Sequence, residues 1–175
     1  MPDGLEARGE ATHPGPLYPL PLPEDQGSGL GKPLKLINHP VRSAIPIYIA
    51  SLGEKNVELT AEIADGWLPL FYLPEKAAGI FGPALAAGAR KRDPSLGPLE
   101  ICAGGNVAIG ELKDVAHLRD VARPFVALYV GGMGARGRNF YNTLVQRYGF
   151  EAEARVIQDL YLDGKKKEAE AWVHP

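Results

Sequence analysis

Ile45-Pro-Ile-Tyr-Ile-Ala-Ser-Leu-Gly-Glu-Lys-Asn-Val-Glu-Leu-Thr-Ala-Glu-Ile-Ala-Asp-Gly-Trp-Leu-Pro-Leu-Phe71 is the segment that decides the fold. Ile45 to Ala50 is a nearly continuous apolar, β-rich run, the pattern of a strand buried on both faces in a parallel sheet. Glu54 to Ala64 sets Val57, Ala61 and Ala64 at helical spacing, with Ile63 widening the stripe. Glu54 places negative charge at the positive end of that helix. Asp65-Gly66 stops it, and Trp67 to Phe71 is the next strand. The whole is one βαβ unit. Gly53 stands where the first strand hands over to the helix N-terminus. The first helical N–H groups lack partners there, so the junction suits an anion. A plain βα turn is the other reading of the same residues.

Working outward, Pro74-Glu75 opens a second helix that runs to about Arg92. Arg90-Lys91-Arg92 complements the dipole at its end as a solvated face, and Asp93-Pro94 terminates it. Leu99 to Ile109 is a third strand region, interrupted by Gly104-Gly105, which marks a bulge or a close approach. Helical patterns follow over Asp114 to Val130, Asn139 to Tyr148, Ala152 to Leu162 and Lys165 to Val173. A glycine loop with two arginines, Gly131-Gly-Met-Gly-Ala-Arg-Gly-Arg138, separates the first two. Upstream, residues 1–33 show no convincing period. Pro14-Gly-Pro-Leu-Tyr-Pro-Leu-Pro-Leu-Pro23 is extended or turn-like. Glu24 to Gly31 is a flexible loop by composition. A covering loop and a proline-rich docking segment are both open readings. Lys32 to Pro40 contains a short strand or an ordered connection. The expected organisation is a loop-rich segment over 1–33 and a folded domain over 34–175.

The chain has 175 residues, 45% hydrophobic and 23% charged, enough for one domain with a real core. A formal net charge of -2 gives no basic field, so no nucleic-acid partner is expected. Cys102 is the only cysteine, which excludes an intramolecular disulfide and a cysteine metal cluster. It reads as a small buried apolar side chain. His39 reads as a loop residue and His117 as an exposed helical one. Neither has a ligand-spaced partner, so no metal is expected. No run approaches the ~18 apolar residues of a membrane span, so no membrane association is expected. The N-terminus lacks a basic segment followed by an apolar one, which points to the cytoplasm.

Consecutive β and α elements suit a doubly wound sheet or a (β/α)8 barrel, and pattern alone does not separate the two. Four segments go further: Leu30-Gly-Lys-Pro-Leu-Lys35, Pro46-Ile-Tyr-Ile-Ala-Ser-Leu-Gly53, Thr60-Ala-Glu-Ile-Ala-Asp-Gly-Trp67 and Leu128-Tyr-Val-Gly-Gly-Met-Gly-Ala-Arg-Gly-Arg-Asn-Phe-Tyr-Asn142. They resemble the luciferase-like monooxygenase family, most closely its branch of F420-dependent oxidoreductases. The resemblance implies an α/β fold, a partial (β/α)8 TIM barrel covering about strands five to seven and the following helices. It implies hydride transfer between the deazaflavin coenzyme F420 and an organic small-molecule substrate. Ala50, Ser51, Leu52 and Gly53 would be the cofactor-binding turn, with Ser51 as a donor. Phe71 and Tyr72 would face the substrate pocket, and Arg136 and Arg138 the anionic polyglutamate tail of F420. An FMN-dependent monooxygenase using oxygen is the alternative within the superfamily. A non-catalytic fragment or subunit is the alternative outside enzymology. A whole barrel usually needs ~250 residues. The half that would meet the reactive ring is missing, so a truncated or split member is expected and no catalytic residue is assigned. Open sheet edges imply a homodimer or a complementing chain.

Overall fold

The computed structural model describes residues 10–35, 41, 42 and 44–174. The loop reading of His39, the end of the Lys32–Pro40 connection and the first nine residues lie outside them. Two compact units result, Met1–Pro46 and Ile47–Pro175. In the first, β1 (Glu10–Ala11) pairs antiparallel with β2 (Leu34–Lys35), and His13 and Leu20 exchange two backbone hydrogen bonds of 2.8 Å. The aperiodic front end thus holds a short ladder. Its partners lie far apart in sequence, and no local period announces such a pairing.

In the second unit β3 (Tyr48–Ile49), β4 (Gly66–Trp67) and β5 (Glu100–Ile101) form a parallel sheet in that order. Helix α1 (Glu54–Ile63) connects β3 to β4, and α2 (Pro74–Ala89) connects β4 to β5. Then come α3 (Leu112–Val115), α4 (Arg119–Ala127), a π-helical turn over Leu128–Gly132, α5 (Phe140–Arg147), α6 (Glu151–Leu162) and α7 (Lys166–Ala171).

The helix reading of α1 holds, since Val57, Ala61 and Ala64 are at most 2% exposed. Ile63 does not widen the stripe; it is half exposed. All three strands are shorter than expected. Ile45 and Ile47 are exposed rather than buried on both faces, because β4 is β3's only strand neighbour among the described residues. Pro69, which has no N–H to pair, follows soon after β4. Beyond Ile101 the third run leaves the sheet, with Val107 and Ile109 on the surface.

The glycine of Asp65-Gly66 acts through space, not through a left-handed cap. A Cβ there would press into the Tyr48 ring, 2.9 Å from its Cγ. Tyr48 lies over Gly66 and donates its hydroxyl to Glu100, linking β3 to β5 across β4. Asp65 accepts from the Ile47 N–H at 2.7 Å.

The basic trio also works differently from its reading as a solvated dipole partner of its own helix. The Arg92 guanidinium donates to the Ala61 and Ala64 carbonyls at 3.1 and 2.6 Å, closing the C-terminal end of α1. Lys91 pairs with Glu58 of α1 at 2.5 Å. Between α1, α2 and α5 lies a core of Val57, Trp67, Ala77, Ile80, Phe81, Leu144 and Tyr148. A second core joins Ala127, Val130, Ala154, Ile157 and Ala169.

Candidate functional site

A cavity of about 930 Å³ opens at the carboxyl ends of β3, β4 and β5. The β3–α1 turn contributes Ala50 to Gly53, and the segment after β4 contributes Leu68 to Tyr72. Gly104 to Asn106 follow from β5, and Phe125, Phe140 and Tyr141 complete the wall. None of its lining residues is charged. Ligands of open α/β units bind at this strand end, because the loops there are free to vary while the sheet holds them in place.

The turn is fixed by a chain of buried groups. Thr60 donates its hydroxyl to the Asn56 carbonyl at 2.6 Å. Its single proton is thereby used, so in the 2.8 Å contact between the Ser51 and Thr60 hydroxyls Ser51 is the donor. The donation expected of Ser51 toward a ligand therefore goes to Thr60. The Ser51 carbonyl accepts from the buried Trp67 indole N–H at 2.9 Å. Ser51 thus locks the turn in place. Gly53 has extended backbone, and a Cβ built on it would meet nothing within 4 Å. The space above it is open. The first intrahelical bond of α1 is Val57 N–H to the Gly53 carbonyl, and no side chain caps the helix. The preceding N–H groups of α1 are the unpaired donors of a helix start. A smaller hollow of about 350 Å³ shares Gly53 and Asn56 with the cavity and adds Glu54, Lys55 and Arg147, of which Arg147 pairs with Glu54 at 3.1 Å.

After β4 the backbone does something no spacing announces. Phe71 has φ 54, the left-handed region, which for a bulky residue costs roughly 1–2 kcal/mol. Its ring meets those of Phe125, Tyr129 and Tyr141 at centroid distances of 5.9, 5.8 and 6.0 Å. Phe71, Phe125 and Tyr141 all line the cavity. Tyr72 lines it too and packs edge-on against Trp67 at 6.0 Å. Buried Tyr148 donates its hydroxyl to the Phe71 carbonyl at 2.9 Å and accepts from the Leu73 N–H at 3.3 Å. Burial pushes its phenol pKa upward.

The six proposed contacts on the turn and pocket mouth, Ala50, Ser51, Leu52, Gly53, Phe71 and Tyr72, thus converge on one cavity. Arg136 and Arg138 are not among its lining residues. Arg136 pairs with Asp159 at 2.7 Å and reaches Asp163 at 3.8 Å. Arg138 is exposed. Two of the glycines before them serve packing: a Cβ on Gly131 would lie 2.5 Å from Tyr161 Cβ, and one on Gly134 3.0 Å from Asn139 Cα, whereas Gly137, beside Arg138, has φ +72 and faces open space. Sequence reasoning missed Phe125, Phe140, Tyr141 and Asn106 as cavity residues. Phe125 and Tyr129 at helical i, i+4 spacing and the Phe140-Tyr141 pair after the glycine loop were the available signal for the first three. Cys102 is exposed and lines the cavity; it is not the buried residue expected. Among the described residues no group of three or more His, Cys, Asp or Glu could hold a metal ion. None of the helices described is long and apolar enough to cross a membrane.

Residues 4–175 match the family model described as luciferase-like monooxygenase. The chain belongs to this family. It is 42% identical over 163 residues to a Mycobacterium tuberculosis protein provisionally named a coenzyme F420-dependent oxidoreductase, covering 90% of this chain and 45% of that one. The solved coenzyme F420-dependent tetrahydromethanopterin reductase of Methanopyrus kandleri superposes with a TM-score of 0.68 at 19% identity. That superposition covers 98% of this chain and 44% of the reductase. The chain therefore spans less than half the length of these relatives. At that identity the likeness speaks to fold, and the fold is the partial (β/α)8 barrel expected of a luciferase-like chain.

Proposed function

We propose that the luciferase-like cavity binds coenzyme F420 beside an organic substrate, and that the chain serves F420-dependent hydride transfer. The observation that carries this reading is the convergence of an open helix N-terminus and an aromatic wall on one uncharged cavity. The residues fit the cofactor's parts. Unpaired N–H groups of α1 and the open space at Gly53 suit a phosphate, with Lys55 in the adjoining hollow, where Arg147 is already paired with Glu54. Phe71, Phe125 and Tyr141 suit a flat, neutral ring system. Exposed Arg138 is the better of the two arginines for an anionic tail, because Arg136 is already paired. When bound, the deazaflavin supplies the hydride chemistry. The chain's own residues hold the turn, shape the wall and exclude water. The relatives' F420-dependent names support the choice of cofactor over FMN.

A second reading is a non-catalytic chain that docks on another chain. The outer strands β3 and β5 favour it, since each has one strand neighbour among the described residues, and Ile47 and Ile101 are half exposed. Fluorescence titration with F420, FMN in parallel and elution volume recorded, separates the readings. Saturable one-to-one F420 binding by a monodisperse species is the expected outcome. Tight FMN binding with F420 ignored moves the assignment to the oxygen-using monooxygenases. A compact chain that binds neither and self-associates leaves the docking reading.

A further inference from the structure

We infer that Tyr148 is a positioning residue of the cavity: its hydroxyl holds Phe71 in the left-handed conformation that presents the Phe71 ring to a flat, uncharged ring of the bound ligand. The inference rests on the proposed cofactor reading for the ligand's identity, but the clamp itself rests on geometry. Tyr148 lies on the C-terminal side of α5, and Phe71 follows β4. One hydroxyl spans the bend, donating to the Phe71 carbonyl at 2.9 Å and accepting from the Leu73 N–H at 3.3 Å. The bond partners are backbone groups on both sides of Tyr72, so the hydroxyl fixes the path of the chain and not one side chain. Without it, only the ring contacts of Phe71 with Phe125, Tyr129 and Tyr141 oppose relaxation of its backbone to negative φ. Tyr148 itself is fully packed in the core, 4% exposed, and does not line the cavity. It acts only through Phe71. Lys76 donates to the Tyr148 carbonyl, which ties the clamp to the first turn of α2 as well.

Tyr148→Phe removes the hydroxyl and keeps the ring, so the core stays filled. The chain is labelled with 15N-phenylalanine, which leaves the ring at position 148 unmodified, and the Phe71 amide resonance is identified in each background by its loss on Phe71→Leu. Wild type and Tyr148→Phe are then titrated with F420 and with the tail-less deazaflavin nucleoside. The Phe71 line is expected to shift in Tyr148→Phe while the Phe81 line holds. Affinity for both ligands is expected to fall by the same factor, about tenfold for the loss of a hydroxyl that makes two hydrogen bonds. Phe71→Tyr, which keeps a ring, is expected to retain affinity, and Phe71→Leu to lose it. Arg138→Ala is expected to weaken F420 alone, since the nucleoside lacks the tail. An unmoved Phe71 line in Tyr148→Phe overturns the inference whether or not F420 binds. A shifted line with unchanged affinity for both ligands overturns the ligand role. Wild-type protein that binds neither ligand fails the cofactor reading, and a shifted line then leaves only a backbone clamp, which also overturns the ligand role.

Discussion

Gly88→Ala sets two effects against each other, and the structure decides which wins. Gly88 is in the last turn of α2, where intrinsic propensity favours alanine by about 1 kcal/mol. The same position is where α2 crosses α1. A Cβ there would lie 2.6 Å from the Ala61 Cβ and 3.0 Å from the Glu62 nitrogen, and closer still to the Glu58 carbonyl oxygen. Carbon atoms at ease sit about 3.5–4.0 Å apart, so α2 must retreat by ~1 Å. Two of the obstacles are backbone, which cannot turn aside. The retreat loosens the α1–α2 packing around Val57 and Ala61, both essentially buried. Overpacking of this kind costs ~1–3 kcal/mol, and a backbone obstacle belongs at the upper end. After the helix-propensity gain the net loss is about 2 kcal/mol. For a chain of this size that lowers the thermal midpoint by roughly 4–8 °C. Gly79→Ala is the control in the same helix. It is exposed, and its Cβ would meet nothing within 4 Å, so the propensity gain stands alone and raises the midpoint by about 2–4 °C. Circular-dichroism melting of the two variants beside wild type reads both signs. A Gly88→Ala midpoint raised like that of Gly79→Ala would refute the reasoning.

Tyr48 has its phenol pKa raised to about 12, first by its hydrogen bond to Glu100. In the unfolded chain it ionises near 10, so its contribution to stability is complete below about pH 10 and lost as pH rises toward 12. Phenolate absorbance should show a late-titrating component that vanishes in Tyr48→Phe; a titration unchanged by the substitution would exclude the link. Asn142 donates to the Val130 and Ala154 carbonyls at 3.0 and 2.7 Å from a buried position. Asn142→Ala removes both donations but leaves the Val130 carbonyl its 3.1 Å bond from Asn139, and should cost about 2 kcal/mol in urea unfolding, against less than ~1 kcal/mol if water replaces the amide.

Much of the framework could be read from residue types. Val57, Ala61 and Ala64 announced α1 because a 3.6-residue period is a local property. The strand-end turn was legible for the same reason: a β-rich run, a glycine and a helix start are contiguous. Strand lengths were not. Two paired residues suffice for each strand, and where pairing stops depends on neighbours that no local run specifies. The arginine trio misled because its side chains reach residues about thirty positions back, on α1. Phe71 and Tyr148 are 77 positions apart, and nothing in either neighbourhood marks a non-glycine residue for the left-handed region. The glycine loop after Val130 looked like room for a ligand. Gly131, Gly132 and Gly134 there are room for Tyr161 and for the chain's own return, while Gly137 beside Arg138 stays open.

The Arg92 guanidinium also says something about how the βα units depend on each other. It sits after α2, yet the carbonyls it closes belong to α1, and its remaining donors reach Gly97 and Leu96 on the approach to β5. The β3–α1 unit is therefore finished by the one that follows it. Such an array has a direction: removing a later module frays the end of an earlier one, whereas the later module keeps its own bonds. Amide exchange at the end of α1 should consequently report the integrity of the segment near Arg92, a distant stretch of chain acting as the lid on a neighbour's unfinished helix.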